Sequence, residues 1–266
     1  MKWFLLLVLC GIFLVYVQNL TVRDCARWLA RTVVRRPPAC RFGRQFISLY
    51  VDRAHGGGIP VRMEYAEDRG RRLLVYVHGP QSDVLTSNPL ARVLAETLGY
   101  DVLTYDEPGA GVHEGPWSED EAARCLQDVL EYGARRYEAR STVVWGVSLG
   151  ACTVASVLGR VDTDVQAVVL QSPYYSADSF YIGLLPAWLH QFTEEPSRSA
   201  MNHVAAMRCP VLVVQEHGSH ARGVEVQDVF GAVASARRQL VEVESVEGSD
   251  EWSPDLLLRV RRFLDP

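Results

Sequence analysis

The chain has 266 residues, 22% of them charged, and a formal net charge of -5, so it is long enough for one sizeable hydrophobic core. This composition argues against a disordered chain and against a basic nucleic-acid-binding protein. Six cysteines occur without C-x-x-C pairs or Cys/His ligand spacing, which argues against a zinc site and a dense disulfide framework. No metal or cofactor is predicted.

The N-terminus has the pattern of a membrane anchor. Residues 3–17 are uninterruptedly apolar, and extending the run to Val22 gives about the 20 residues that a helix needs to span a bilayer. A cleaved signal peptide is the alternative, but no small-residue cleavage site follows the apolar run. We therefore predict a transmembrane anchor over 1–22 and a basic juxtamembrane linker over 23–45.

The charges that flank the span predict its orientation. Lys2 alone precedes the span, whereas several arginines follow it closely: Arg23, Arg27, Arg31, Arg35 and Arg36. By the positive-inside bias, the soluble domain lies in the cytosol. The segment from Asp24 to Arg36 either lies on anionic headgroups as a basic amphipathic helix or is a solvated linker.

Residues 46–266 predict one α/β domain. Phe46–Asp52 and Pro60–Tyr65 suggest an opening antiparallel pair. Buried strands then alternate with helices, which predicts a mostly parallel eight-stranded sheet with helices on both faces. The later strands are predicted at Leu73–Val77, Asp101–Tyr105, Ser141–Trp145, Gln166–Leu170, Pro210–Val214 and Gln239–Val243.

Three helices carry clear end signals. Asn88 is predicted to cap the first, with Pro89 at its first position and Gly99 after its last turn. Ser118 and Glu121 form a capping box, and Ser253-Pro254 opens the last helix. An apolar insertion at about 174–207 interrupts the alternation, and its residues suit a lid over an acyl pocket as well as core helices.

A G-x-S-x-G motif carries the chemistry. Gly146-Val147-Ser148-Leu149-Gly150 follows a predicted strand and precedes a helix of small residues, which is the setting of a nucleophile elbow. The turn strains the serine backbone, and the flanking glycines leave room for neighbouring strand and helix. Ser148 is the predicted nucleophile, and the Leu149 N–H is directed at a developing oxyanion.

Ordered motifs over Phe46 to Pro266 resemble the α/β-hydrolase superfamily, and within it the single-pass membrane-anchored, monoacylglycerol-lipase-like serine hydrolases. The resemblance rests on five stretches: Val77-His78-Gly79, Tyr105 to Gly111, the elbow at Ser148, Leu170 to Pro173 and Cys209 to Val214. It implies the α/β-hydrolase fold and hydrolysis of an ester, thioester or lipid acyl bond. His78, Tyr174 and Trp188 are candidate substrate-binding residues.

The chain departs from this family at three catalytic positions. The second oxyanion donor falls on Pro80, which has no N–H. The family's acid falls on Ser219 or Ala221, and the family's base falls near Ser249. Losing the base of such a triad costs about 10⁶ in kcat. One remedy is a swapped pair in which His217 or His220 is the general base and Asp250 orients it.

Three functions remain open from the sequence. The first is a membrane-anchored serine hydrolase acting on an acyl or lipid-like small molecule. The second is a catalytically degraded pseudoenzyme that binds a lipid or a protein partner. In the third, the arginine-rich segment after the anchor holds anionic lipid or a partner helix. Nucleic acid is not an expected partner, because the arginines adjoin the membrane span and the domain is acidic.

Overall fold

The computed structural model describes residues 49–53, 57–67, 72–80, 82–161, 164–183, 198–217, 223–244 and 253–266. Within them lies one eight-stranded sheet with the order β1-β2-β4-β3-β5-β6-β7-β8. The strands are β1 (Leu49–Asp52), β2 (Gly58–Glu64), β3 (Leu73–Val77), β4 (Asp101–Tyr105), β5 (Thr142–Val147), β6 (Ala167–Gln171), β7 (Val211–His217) and β8 (Arg238–Glu244). Only the two pairings of β2, with β1 and with β4, are antiparallel. The predicted mostly parallel sheet is confirmed.

Helices cover both faces of the sheet. Their bounds are α1 (Asn88–Leu98), α2 (Glu119–Ala134), α3 (Leu149–Leu158), α4 (Ala177–Gly183), α5 (Ser199–Ala206), α6 (Gly223–Ala232) and α7 (Pro254–Leu264). One face packs against α1 and α7, whose buried residues join Leu74 and Trp145 in one cluster. The other face packs against α2, α3 and α6, with Leu73 and Val75 in the second cluster. The central strands are therefore buried on both sides, as a parallel sheet requires.

The predicted helix ends are largely as expected, with one shift. Ser87, and not Asn88, is the N-cap of α1, because Asn88 already belongs to the helix. Gly99 ends α1 in the left-handed conformation, with φ of 72°. The Ser118 hydroxyl caps α2 by accepting from the Glu121 N–H at 3.2 Å. A capping box would direct the Glu121 carboxylate back to the Ser118 N–H. Here that carboxylate forms ion pairs with Arg53 and Arg124.

Part of the apolar insertion packs into the core. The side chains of Phe180 and Tyr181, on α4, are only 4% and 8% exposed and join the cluster around α3. For these two residues the structure favours the core interpretation over the lid. Residues 184–197, which include Trp188, lie outside the described residues.

The predicted anchor over 1–22 and linker over 23–45 also lie outside the described residues. Among the residues that the structure does describe, no helix combines the length and the apolar character needed to cross a membrane.

Candidate active site

Ser148 occupies a sharp turn between β5 and α3. Its backbone has φ of 56° and ψ of -118°, a conformation that a residue with a Cβ rarely adopts. Its N–H donates to the Gln171 carbonyl at 2.8 Å, and its own carbonyl accepts from the Ala151 N–H at 3.0 Å. Such strain persists only where the surrounding structure enforces it. The turn therefore holds Ser148 at the carboxyl edge of the sheet in the geometry of the predicted elbow.

The two glycines of the motif allow the turn by close backbone contact. A Cβ on Gly146 would lie 2.7 Å from the Ala151 Cα, and one on Gly150 would lie 2.7 Å from the His78 carbonyl oxygen and nearer still to that of Val77. These obstacles are backbone atoms, which cannot move aside as a flexible side chain does. The start of α3 is therefore in close backbone contact with the end of β3, next to Ser148.

The loop after β3 lies beside the turn at Ser148. A Cβ on Gly79 would lie 3.6 Å from the Ser148 Cβ, so the loop passes directly beside the serine. The Ser82 N–H donates to the Gly79 carbonyl at 3.2 Å, which closes a turn with Pro80 at its second position. Because proline has no N–H, this turn offers no backbone donor at Pro80. Leu149, the first residue of α3, has an N–H that the helix itself does not use.

The Tyr174 side chain lies next to the Ser148 hydroxyl. The two side chains are hydrogen-bonded, and the phenol is only 3% exposed. Burial raises the pKa of Tyr174 well above its ordinary value, the nearby Glu225 adds to this, and the bond to Ser148 lowers it only in part. The phenol is therefore neutral at physiological pH. It can orient the Ser148 hydroxyl, but as a neutral group it does not deprotonate it.

His217 faces a carboxylate on the neighbouring strand. The His217 imidazole lies at the end of β7, where its Nε2 is 3.7 Å from the Glu242 carboxylate of β8 and its side chain is 45% exposed. His220 and Asp250, its predicted companions, lie outside the described residues. Among the described residues, the contacts of Ser148 include no histidine side chain.

His78 is a buried residue at the start of the loop after β3. It is 5% exposed, its Nδ1 lies 2.9 Å from the Gly79 carbonyl, and its Nε2 lies 3.6 Å from Asp106 Oδ1. Asp106 is fully buried and also accepts from the Val84 N–H at 2.9 Å and the Val112 N–H at 3.2 Å. The pair braces the loops after β3 and β4, so we interpret His78 as a structural residue rather than a substrate contact.

The His78–Asp106 pair predicts a pH-dependent contribution to stability. Burial alone disfavours the charged imidazole, but the Asp106 carboxylate, the Gly79 carbonyl and the charge of Glu107 together outweigh it and raise the pKa of His78 above its ordinary value. A raised folded-state pKa stabilises fully below about pH 6.5, the unfolded value, and the stabilisation is lost as pH rises through the folded pKa. Urea unfolding of wild type and His78→Asn should therefore give free energies that converge between pH 6 and 9. A difference that stays constant with pH would contradict this role.

A second buried carboxylate, that of Glu107, is hydrogen-bonded to two residues that line a pocket near Ser148. Glu107 accepts from Trp117 Nε1 at 2.7 Å and from Thr153 Oγ1 at 3.1 Å, and it is 7% exposed. Trp117 and Thr153 line a pocket beside α3 that also includes Leu149. Nothing in the sequence distinguished Glu107 from any other residue of the stretch after β4, because its two partners lie 10 and 46 residues away.

Cys152, close to Ser148 in sequence, is an unreactive thiol. It lies one turn along α3, and burial raises its pKa to about 12, so its thiol stays protonated. Its Sγ donates to the Tyr174 carbonyl at 3.5 Å. Across the described residues, no group of three His, Cys, Asp or Glu side chains could hold a metal ion.

The fold has many solved counterparts of low identity. An esterase of Pyrococcus furiosus has a TM-score of 0.62 at 18% identity, covering 82% of this chain and 90% of that one. A monoacylglycerol lipase of Paleococcus ferrophilus has a TM-score of 0.59 at 18% identity, with 77% and 98% covered. The α/β hydrolase GrgF from Penicillium has a TM-score of 0.65 at 12% identity, with 82% and 96% covered. These likenesses establish the α/β-hydrolase fold.

The family is established by sequence. No protein with a curated description matches the chain significantly. A family model described as serine aminopeptidase, S33, matches residues 68–233, more than half of the chain. This span includes β3, the loop of Pro80, the elbow at Ser148 and β7, which are the parts that build the site. The chain therefore belongs to the serine aminopeptidase S33 family of α/β-hydrolases.

Proposed function

We propose that the protein is a membrane-anchored serine hydrolase that cleaves an ester, thioester or lipid acyl bond with Ser148 as its nucleophile. The observation that carries the proposal is the strained backbone of Ser148, between β5 and α3. The flanking Gly146 and Gly150 lie so close to neighbouring backbone atoms that a Cβ would not fit at either position. A non-glycine residue is kept in such a conformation where function requires it. The turn places the serine hydroxyl beside the N-terminus of α3, where charge on an acyl oxygen is stabilised.

The proteins of similar structure include an esterase and a monoacylglycerol lipase, which favours an acyl substrate for this chain. The test is hydrolysis by the full-length chain in detergent of p-nitrophenyl esters with two to sixteen acyl carbons, and of a monoacylglycerol. We expect turnover with a preference among chain lengths. If a folded preparation hydrolyses none of these substrates, acyl hydrolysis is the wrong reaction class.

We propose His220, rather than His217, as the general base, with Asp250 as its orienting acid. His217 is half-exposed and already faces Glu242 on the neighbouring strand. Loss of the base from such a site lowers kcat by about 10⁶, so the kcat values of the two single variants should differ clearly. We expect His220→Ala to abolish measurable turnover and His217→Ala to stay within about threefold, a change of less than 1 kcal/mol in the barrier. The opposite pattern would assign the base to His217.

Pro80→Ala is expected to make the hydrolase faster. The substitution restores a backbone N–H beside Ser148, at the turn that passes the serine. Removing one oxyanion donor from such a site costs about 10² to 10³ in kcat, so regaining an imperfectly placed donor is expected to raise kcat by about tenfold. Steady-state kinetics with one ester measures this. A variant with unchanged or lower kcat, at an unchanged unfolding temperature, would show that no donor is needed there.

We also propose that residues 1–22 anchor the protein in a membrane, with the domain on the cytosolic side. The support is the uninterrupted apolar run over residues 3–17 and the excess of arginine after it. Expressed in cells, the full-length chain should stay in the membrane pellet after alkaline carbonate extraction. Release into the supernatant would contradict a spanning anchor.

A ligand-binding protein without turnover is the second candidate function. Two observations favour it: Pro80 has no N–H to offer in the turn beside Ser148, and the Ser148 hydroxyl is hydrogen-bonded to the neutral phenol of Tyr174. Native mass spectrometry of the purified full-length chain distinguishes the two functions. A lipid that is recovered intact from a protein without turnover supports binding, whereas turnover that depends on Ser148 excludes it.

A further inference from the structure

A second strained serine lies next to the elbow. Ser172, the first residue after β6, has φ of 46°, and with Ser148 it is one of two non-glycine residues with positive φ in the described part of the chain. Ser172 is only 3% exposed, so contact with solvent does not account for its positive φ. The two serines are adjacent across the sheet, because Val147 of β5 pairs with Gln171 of β6. A residue with a Cβ keeps such a conformation only where its surroundings enforce it.

Glu216 is hydrogen-bonded to the Ser172 side chain. The Ser172 hydroxyl donates to Glu216 Oε2 at 3.1 Å, and the Ser172 N–H donates to the Val214 carbonyl at 2.8 Å. Both partners belong to β7, the strand that pairs with β6. The side chain and the backbone of Ser172 are therefore both attached to the same neighbouring strand.

The other oxygen of Glu216 connects the site to β5. Glu216 Oε1 accepts from Gln171 Nε2 at 2.9 Å, and Gln171 Oε1 accepts from Trp145 Nε1 at 3.0 Å. Trp145 is fully buried and precedes Ser148 by three residues in β5. Each carboxylate oxygen thus has its own donor, and the network crosses three adjacent strands at their carboxyl ends. A fully satisfied polar network of this kind fixes one geometry.

Ser172 lies two residues before Tyr174, the side chain that is hydrogen-bonded to Ser148. Pro173, with its fixed φ, follows Ser172 and leads into Tyr174, whose phenol is hydrogen-bonded to Ser148. The Tyr174 ring is fixed by an edge contact with Phe180, the ring centres being 5.2 Å apart. The backbone angle at Ser172 consequently sets where the phenol meets the serine hydroxyl.

We propose that Glu216 is a positioning residue, which acts through Ser172 to fix Tyr174 against the hydroxyl of Ser148. This role rests on the proposed function, since it presumes that Ser148 reacts. Glu216 itself touches neither Ser148 nor an acyl group in this arrangement. Its contribution is geometric: it keeps Ser172 in the left-handed conformation, and its negative charge is incidental.

The test is the rate at which a fluorophosphonate probe labels the full-length chain. Glu216→Ala removes both acceptors and should slow labelling by on the order of tenfold to a hundredfold, the usual cost of a small misplacement. Glu216→Gln should stay near wild type, because its amide can accept from Gln171 and donate to the Ser172 hydroxyl. Adding Ser172→Gly to Glu216→Ala should restore most of the rate, because glycine adopts positive φ without help.

The matched control is Glu244→Ala, at the exposed end of the neighbouring strand β8, which should label like wild type. If Glu216→Ala labels at the wild-type rate, Glu216 positions nothing. If Glu216→Gln is as slow as Glu216→Ala, the charge matters and the geometric role is wrong. Failure of Ser172→Gly to rescue the alanine variant also overturns the proposal.

Hydrogen–deuterium exchange provides a readout that does not require Ser148 to react. In Glu216→Ala, the amides of the segment from Ser172 to Gly183 should exchange faster than in wild type, and Ser172→Gly should restore their protection. Unchanged exchange overturns the positioning role even if the protein never labels. An unlabelled wild type with accelerated exchange in Glu216→Ala would instead contradict the proposed hydrolase while the positioning of Tyr174 stands.

Discussion

Replacing Ser148 with alanine is expected to lower kcat for an ester substrate by about 10⁶-fold, leaving only the residual catalysis of the oxyanion site. The loss is this large because, in the proposed mechanism, the serine oxygen forms the covalent bond to the acyl carbon. Cys152 is the nearest alternative, and its pKa of about 12 keeps it protonated. Binding of the substrate should be much less affected, because alanine removes only one oxygen.

Initial rates of ester hydrolysis at saturating substrate measure this loss. Ser235→Ala is the matched control, because Ser235 is also buried but lies in the turn before β8, at the opposite edge of the sheet. Its hydroxyl donates to the Arg237 carbonyl at 3.3 Å. The control should keep its rate. Turnover that survives in Ser148→Ala would move the chemistry away from the elbow.

Gly150→Ala is expected to destabilise the fold by about 3 kcal/mol or more, at the upper end of what overpacking costs. The added methyl group would meet the carbonyls of Val77 and His78, and separating α3 from β3 is the only relief. For a domain of this size, 3 kcal/mol lowers the unfolding temperature by roughly 6 to 12 °C. Because the same shift moves the Leu149 N–H, turnover should fall as well.

Thermal unfolding compares this variant with Gly231→Ala on α6. A Cβ at Gly231 meets nothing within 4 Å, and alanine is the better helix former, so this control should be neutral or slightly stabilising. If Gly150→Ala unfolds at the wild-type temperature, the close approach of α3 to β3 is not what shapes the elbow.

The sequence predicted the centre of the fold best. Strands β3 and β4 have the predicted bounds, and every residue in them is buried. Where polar residues continue a strand, the prediction stopped short: β7 runs on to His217, because Gln215 is buried and Glu216 is hydrogen-bonded. Ser141, predicted to open β5, belongs instead to the short 3₁₀ turn Ala139–Ser141.

The site was predictable only where chemistry is local in sequence. The elbow at Ser148 and the proline at position 80 follow from five-residue and three-residue stretches, whose backbone demands are readable from glycine and proline. The network of Glu216 was not predictable, because Glu216 meets Ser172 across 44 residues and Gln171 across 45. Likewise, no local pattern indicated that His78 would be buried against Asp106, 28 residues further on.

The most direct test of the central claim is labelling of the full-length chain in detergent with a fluorophosphonate probe, followed by peptide mapping by mass spectrometry. An activated serine at the elbow predicts one label on the peptide that contains Ser148, competition by an ester substrate, and no label in Ser148→Ala. A folded wild-type protein that takes up no label, or takes it up equally in Ser148→Ala, would contradict the claim that Ser148 is the nucleophile of this hydrolase.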